Sequence, residues 1–417
     1  MDPTIIMISN VTFSLLFGIL VVFFGFAIVP FFKRGKYRLS GTPPVSIIIP
    51  AYNEEKNIGK TLKAIFSSDY PKDKMEVMVV DDGSNDNTID IAKSFDVKVL
   101  KQNHNGKVGA LNYGIKNASN ELIITIDADT ILKKDAVKKV LSPFSDKNMG
   151  AVGGAMKIEC PKNLLSFFQN IEYVSMSLVK EGFSQLFNTS LGFYGSFCCY
   201  RKSVLQKIGG FQDSTTSEDI DVSLQIRKAG YKSLVLGSAV GSTPAEDKIK
   251  VFFKQRTRWS KGMLQVLVKH KDMFASPKYG LALSFIMFVH MFWYVYAFFA
   301  LPLLFYQFFF WLPYNIATLL DAGFYVLRWF SMIGPFYTLY MIPEWGFNIY
   351  SVTAVLAGII TAVIIAIGLK SFNEKIQYKT IVSIFFYFPY TILLCIGTML
   401  GVIKYIASGG RGTFIDK

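Results

Sequence analysis

Histidine and cysteine are scarce in this chain, at three and four of 417 residues. Cys160, Cys198, Cys199 and Cys395 show neither metal-ligand spacing nor a disulfide framework, which excludes a zinc-type centre and a stapled extracellular scaffold. The adjacent Cys198 and Cys199 read as two small buried residues, and reduced thiols suit a cytoplasmic domain. Charge is missing over long stretches. Residues 1–32 carry only Asp2 and residues 279–417 carry eleven charges, so 62 of the 74 charged side chains sit in 33–278. That distribution excludes a single soluble domain, and 51% hydrophobic residues exclude a disordered chain. The net charge of +14 comes without a basic tract interleaved with aromatics, so attraction to anionic lipid, not to nucleic acid, accounts for its sign.

The uncharged stretches are long enough to matter. Residues 11–32 are 22 in a row without charge, enough to cross roughly 30 Å of hydrocarbon. No basic start or small-residue cleavage site marks a secretory signal. Lys33, Arg34, Lys36 and Arg38 follow, and by the positive-inside rule they put residues 33–278 in the cytoplasm and the N-terminus outside. A second uncharged run covers 279–320, and residues 345–369 and 380–403 can each span. Between them Arg328, Pro335, Pro343 and Glu344 interrupt an aromatic stretch that reads as a crossing, re-entrant or interfacial segment. The expected organisation is a transmembrane helix in 1–32, a cytoplasmic domain in 33–270 and a C-terminal membrane domain of about four helices in 271–417. That count returns the C-terminus to the cytoplasm and leaves the three-lysine loop 370–379 outside.

The polar middle alternates strand and helix signals. Val45–Pro50 is a β-branched run closed by proline, Val77–Val80 and Leu122–Ile126 are further strands, and Val97–Leu100 is extended. Residues 54–68, 90–95 and 107–117 show helical spacing between them. The pattern predicts an α/β domain with a largely parallel sheet, whose ligand crevice lies at the carboxyl ends of the strands. Asp81-Asp82-Gly83-Ser84 and Asp127-Ala128-Asp129 fall at such ends. Each is also a good turn sequence. As ligand groups, the first can accept hydrogen bonds from a base or ribose, and the second can hold a hard cation, Mg²⁺ or Mn²⁺. Lys107 opens a helix after Gly106, as a solvated lysine or as a diphosphate contact.

Two later segments complete the set. Ser217-Glu218-Asp219-Ile220-Asp221 places three carboxylates before a helix, as caps or as the source of a general base for an acceptor hydroxyl. Gln255-Arg256-Thr257-Arg258-Trp259 precedes an amphipathic helix over 260–269, where arginine can neutralise a leaving diphosphate and tryptophan can stack on a sugar. Interfacial helices are expected near 163–187 and 255–270.

Taken in order, Ala51-Tyr52-Asn53-Glu54, Asp81-Asp82-Gly83-Ser84, Gly106-Lys107, Asp127-Ala128-Asp129, Ser217-Glu218-Asp219 and Gln255-Arg256-Thr257-Arg258-Trp259 resemble the membrane-embedded glycosyltransferases of family 2. That group includes cellulose, chitin, hyaluronan and poly-N-acetylglucosamine synthases, and the last are the most similar in Glu218–Asp221 and Gln255–Gly262. The likeness covers roughly residues 44–270. Ser217 stands where the family usually has threonine, and one N-terminal helix stands where many relatives have two. Arg411-Gly412-Thr413 faintly resembles a C-terminal signature of hyaluronan synthases.

The resemblance implies an α/β, GT-A-like domain with a mixed, mostly parallel sheet, inserted between transmembrane helices. It implies an inverting, metal-dependent β-glycosyltransferase using a UDP-sugar, with UDP-N-acetylglucosamine favoured, to build a polysaccharide at the cell membrane, with or without its export. Ala51, Tyr52, Glu54, Asp82, Lys107, Asp127 and Arg258 would bind the donor, and Asp129 with Asp127 the metal. Asp219, with Glu218 beside it, would supply the base. Gln255, Trp259, Gly195, Arg201 and Lys202 would line the acceptor side. A processive enzyme would thread a growing glycan among its C-terminal helices; the same residues would serve one transfer to a lipid such as polyprenyl phosphate. A transport or scaffold protein with a dead transferase domain is a third reading, and no carboxylate or Arg258-Trp259 is missing to suggest it.

Overall fold

The isoleucines of Val45–Ala51 alternate between two cores, which is how a strand covered on both faces reads. The computed structural model describes residues 3–33, 37, 39, 41–190, 192–310, 312 and 318–410. The basic flank residues Arg34, Lys36 and Arg38, and the segment Arg411-Gly412-Thr413, lie outside the described residues. Helix α1 (Pro3–Lys33) comes first. The domain then runs β1 (Val45–Ala51), α2 (Ile58–Phe66), β2 (Met75–Asp81), α3 (Thr88–Lys93), β3 (Lys98–Lys101), α4 (Gly106–Asn117), β4 (Leu122–Ile126), β5 (Ile131–Leu132), α5 (Ala136–Leu141) and β6 (Met149–Ile158). It continues through α6 (Leu164–Phe187), β7 (Phe197–Arg201), α7 (Lys202–Ile208), α8 (Glu218–Lys228), β8 (Lys232–Thr243) and α9 (Ile249–Lys269).

The eight strands form one sheet in the order β3-β2-β1-β4-β7-β6-β8-β5. β3, β2, β1 and β4 are parallel neighbours, β7 is antiparallel to both β4 and β6, and β6 pairs parallel with β8. This is a mixed, mostly parallel, GT-A-like sheet. Ile47 and Ile49 face a core shared with α2, α3 and α5; Ile48 faces one shared with α4, α7 and α8. Ala51 pairs with Asp81, so β1 and β2 end flush. Cys198 and Cys199 are buried in β7.

The predicted helix over 163–187 is α6, capped by Asn163 and Ser166, and sixteen of its 24 residues are buried, more than a half-wetted surface helix would show. α1 packs on it around Gly182, where an added Cβ would lie 1.8 Å from the Phe26 carbonyl oxygen. Phe26 meets Phe183 edge-on at 5.4 Å, and burying such a ring contributes about 1.5–3 kcal/mol.

Beyond the domain lie α10 (Leu281–Phe310), α11 (Leu319–Phe330), α12 (Ile333–Trp345), α13 (Ile349–Ser371), α14 (Tyr378–Phe385) and α15 (Tyr387–Ala407). Among the described residues, four helices are long and apolar enough to cross a membrane: α1, α10, α13 and α15. The aromatic stretch forms α11 and α12, of 12 and 13 residues. At 1.5 Å per residue each is about 20 Å long or less, short of the roughly 30 Å of a bilayer core. Among the described residues the C-terminal part thus has three helices long and apolar enough to cross, where about four were expected. The loop after α13 sits on the domain, not across a membrane from it: Glu374 pairs with Lys157 at 2.5 Å and accepts from Asn170 at 2.9 Å, and Lys379 donates to the Lys162 carbonyl at 2.7 Å. Gln255–Trp259 also differs from expectation. It lies inside α9 rather than ahead of a helix, because regular helix already starts at Ile249.

Candidate active site

The parallel strands deliver their carboxyl ends to one edge, and the loops there surround a cavity of about 380 Å³. Pro50, Ala51, Tyr52 and Glu54 come from the end of β1, Asp82 from β2, and Asp127, Ala128 and Asp129 from β4. Gly106, Lys107 and Ala110 come from the start of α4, Glu218 from the start of α8, and Arg258 from α9. Carboxylates far apart in the chain therefore share one space.

Their bonding separates them. Asp81 is spent on its own turn, accepting from the backbone N–H groups of Gly83 and Ser84 at 3.3 Å. Asp82 is buried and organises the next loop. One oxygen accepts from Gln102 at 2.6 Å and the Asn105 N–H at 2.8 Å; the other accepts from the Gly106 N–H at 2.9 Å and lies 2.9 Å from His104 Nδ1. Asp82 thus fixes the N-terminus of α4 and the loop that carries His104. The His104 ring in turn lies against Tyr52, with centroids 4.4 Å apart, at the cavity wall. That pair is a surface on which a flat base can stack. Sequence reading missed His104, though a rare histidine three residues before Lys107 is a usable signal.

Lys107 is held by two carboxylates, Asp127 at 2.6 Å and Glu218 at 3.2 Å. Burial works against its charge, but Asp127 and Glu218 outweigh that and keep it protonated well above the usual lysine range. Asp129 behaves oppositely. Burial, then Asp127 and Glu54, push its carboxyl up to about 7. Hard oxygen donors whose negative charges repel one another suit a divalent cation. Among the described residues no group of three or more His, Cys, Asp or Glu side chains that could hold a metal ion occurs, and Asp127 and Asp129 are the carboxylates that the end of β4 brings to the cavity.

Asp219 lies beside the cavity rather than among its lining residues. Its carboxylate accepts the Gly195 N–H at 3.0 Å and the Ile220 N–H at 2.9 Å. Burial and the neighbouring Glu218 raise it to about 6, while Lys107 and Lys180 pull it down. Gly195 is therefore brought to Asp219. Lys180, on α6, lies 4.0 Å over the Tyr194 ring, and burial lowers its pKa. Asp221, the third acid of the cluster, faces away: it binds His270 at 2.6 Å and Lys269 at 2.9 Å, clamping α8 to the end of α9. These bonds outweigh burial and hold its carboxyl below the usual range.

On α9, Arg258 reaches the cavity, and Trp259 is half-buried with its ring centre 6.5 Å from that of Tyr173. Gln255 donates to Glu246 at 3.2 Å, while its Oε1 is buried with no partner among the described residues. Arg201 and Lys202 are not brought to the site. β7 runs antiparallel to β4, and Arg201 pairs with Leu122 at the opposite end from Asp127. There the Arg201 guanidinium donates to the carbonyls of Met149, Phe144 and Asp146, and Lys202 donates to that of Ala118. The acceptor role expected for these two is replaced by loop anchoring.

The family profile described as Glycosyl transferase family 2 matches residues 46–209. The match runs from β1 through α7, and stops short of Glu218 and α9. A protein named probable glycosyltransferase YdaM, from Bacillus subtilis (strain 168), is 33% identical over 288 residues, 66% of this chain and 69% of its own length. A poly-beta-1,6-N-acetyl-D-glucosamine synthase of Staphylococcus epidermidis is 32% identical over 231 residues. That alignment spans 54% of this chain and little more than half, 56%, of the synthase. Among solved structures, the mannosyltransferase PcManGT from Pyrobaculum calidifontis, in complex with GDP-Man and Mn²⁺, has the same fold. It matches with a TM-score of 0.56 at 18% identity, over 95% of this chain and 99% of that one.

Proposed function

The chain belongs to glycosyltransferase family 2, and from that premise we propose that it is an inverting β-glycosyltransferase of the membrane surface. Its donor is a UDP-sugar, UDP-N-acetylglucosamine in the first place, and its product is a polysaccharide extended processively. Residues 33–270 form the cytoplasmic catalytic unit, and the apolar helices on either side anchor it and receive the glycan. One observation carries this reading: Asp82, Lys107, Asp127, Asp129, Glu218 and Arg258 line one cavity large enough for a nucleotide sugar. The donor choice leans on the likeness to the poly-beta-1,6-N-acetyl-D-glucosamine synthases.

The chemistry follows from the placement of charge. Tyr52 and His104 take the base, in the loop that Asp82 holds. Asp127 and Asp129 would hold Mg²⁺ or Mn²⁺, which when bound neutralises the diphosphate. Lys107 and Arg258 stabilise the charge that develops on UDP as the bond from the anomeric carbon to the diphosphate oxygen breaks. Asp219 takes the proton of the acceptor hydroxyl as that oxygen forms the new bond from the opposite face. A carboxyl at about 6 is ionised at neutral pH yet basic enough for the task. Gln255 and Trp259, on α9, belong to the acceptor side, where the Trp259 ring holds the acceptor sugar.

The test uses purified full-length protein in lipid nanodiscs with UDP-N-acetylglucosamine, UDP-glucose or UDP-glucuronic acid and Mg²⁺ or Mn²⁺. UDP release and product size are measured. Turnover of UDP-N-acetylglucosamine into polymer is expected. A single lipid-linked sugar would refute processivity, and no turnover of any donor would refute the reading as a whole.

A further inference from the structure

We propose that Tyr390 on α15 and Glu172 on α6 are positioning residues for the acceptor side of the site, acting through Arg256 on the Trp259 ring. The proposal rests on the reading of Trp259 as the surface that holds the acceptor sugar.

Arg256 lies about one turn before Trp259 on α9, and its side chain is buried against the tryptophan. Its guanidinium binds Glu172 through both forks, at 2.6 and 2.8 Å. One of those nitrogens also lies 3.2 Å from the Tyr390 hydroxyl, and the same hydroxyl donates to Glu172. A fork–fork pair sets the plane of the guanidinium as well as its distance, and the hydroxyl closes the triangle from a third helix. The cation fixed in this way sits 4.6 Å from the centre of the Trp259 ring and 4.9 Å from that of Phe252. Contact between a cation and an aromatic face is favourable only while the charge stays over the ring, so the orientation of Trp259 follows that of Arg256.

The third helix is held close enough to matter. α15 touches α9 through two glycines: a Cβ on Gly397 would lie 2.8 Å from that of Arg256, and one on Gly401 2.4 Å from that of Ser260. Ser260 donates to the Thr398 carbonyl at 3.1 Å, and Trp293 of α10 donates to the Thr398 hydroxyl at 3.1 Å. Tyr390 itself stacks on Phe168 of α6 with centroids 5.2 Å apart. An apolar helix some 130 residues further along the chain therefore supports the ring on which the sugar is expected to lie, without reaching the donor cavity. None of the three supporting residues lines that cavity. The consequence is a separation of effects: disturbing Tyr390 loosens the acceptor's seat and leaves the nucleotide's alone.

The experiment uses the full chain in nanodiscs, with UDP-N-acetylglucosamine as donor and a β-1,6-linked N-acetylglucosamine trisaccharide as the acceptor probe. Tyr390→Phe keeps the ring and its stack and deletes one hydroxyl. It is expected to raise the acceptor KM roughly 3–10-fold, the loss of one hydrogen bond, with the donor KM changed by less than about two-fold. The increase should vanish when Tyr390→Phe is added to Trp259→Ala, because the two act in series. Arg256→Lys, which keeps charge but loses the fork, should lie on the same side, raising acceptor KM before donor KM. Glu172→Gln leaves a buried cation without its counter-charge and is a test of folding, so the inference is read from Tyr390→Phe. Equal shifts of donor and acceptor KM, or full additivity with Trp259→Ala, would overturn it. If Trp259→Ala leaves acceptor KM unchanged, the acceptor-platform reading fails first. If that variant raises it and Tyr390→Phe does not, only the positioning role fails.

Discussion

Replacing Lys107 with glutamine tests the electrostatic core of the mechanism. The ammonium sits 2.6 Å from Asp127 and 3.2 Å from Glu218, with side-chain exposures of 18%, 31% and 7% for the three residues. Breaking a buried ion pair by removing one partner costs about 3–5 kcal/mol. Because Asp127 is nearly a third exposed, water relieves part of its loss, and the low end, about 3 kcal/mol, is expected. Turnover should fall further than stability explains. Losing one group aimed at the charge on the leaving diphosphate lowers kcat roughly 10²–10³-fold.

The pH profile supplies an independent sign. Lys107 pulls the Asp219 carboxyl down, so without the ammonium that carboxyl titrates above about 6. The base must be ionised to work, and the acid limb of kcat should therefore move to higher pH in Lys107→Gln. The assay is UDP release from UDP-N-acetylglucosamine across pH 5–9, beside a thermal unfolding curve of the same preparation. A stability loss with kcat within about ten-fold of the parent and an unmoved acid limb would show that Lys107 is merely structural, and would refute the argument.

Three further outcomes are expected. Asp219→Asn should abolish turnover and flatten the pH dependence of stability: the folded carboxyl titrates near 6 against about 3.9 unfolded, so in the parent ionisation destabilises the fold as pH rises through that window, and the amide does not ionise. Because the amide also turns a donor toward one of the two backbone N–H groups the carboxylate accepts, the sign is read from the stability lost between pH 5 and pH 8 in urea, which should be smaller in the variant. Chelation should stop turnover, and Asp129→Asn should raise the Mn²⁺ concentration needed to restore it at least ten-fold, read by metal titration of initial rates. Arg201→Ala should lower the unfolding midpoint while leaving kcat/KM for the UDP-sugar unchanged, since its guanidinium binds three carbonyls at the far end of β7.

Much of the site was legible because its parts are local. A β-branched run followed by Asp-Asp-Gly-Ser declares both a strand and its polar end, and parallel strands must end on the same side; Asp82, Asp127 and Asp129 therefore converge as expected. Lys107 was legible as the first turn of a helix, but not that two carboxylates would grip it. Arg201 and Lys202 were misassigned because composition does not reveal strand direction. One antiparallel strand, β7, carries its last residues to the wrong end of the sheet while its leading loop delivers Gly195 to Asp219.

The sequence by itself determined the alternation of strand and helix, the oily ends, and the acids at strand termini, since each depends on the periodicity or chemistry of a few neighbouring residues. Only the tertiary structure decided which charges neutralise one another, that His104 turns toward Tyr52, that the loop after α13 rests on the α/β domain, and that Tyr390 meets Arg256 from 134 positions away. Those outcomes depend on how helices pack and at what depth charges are buried, which no local pattern encodes.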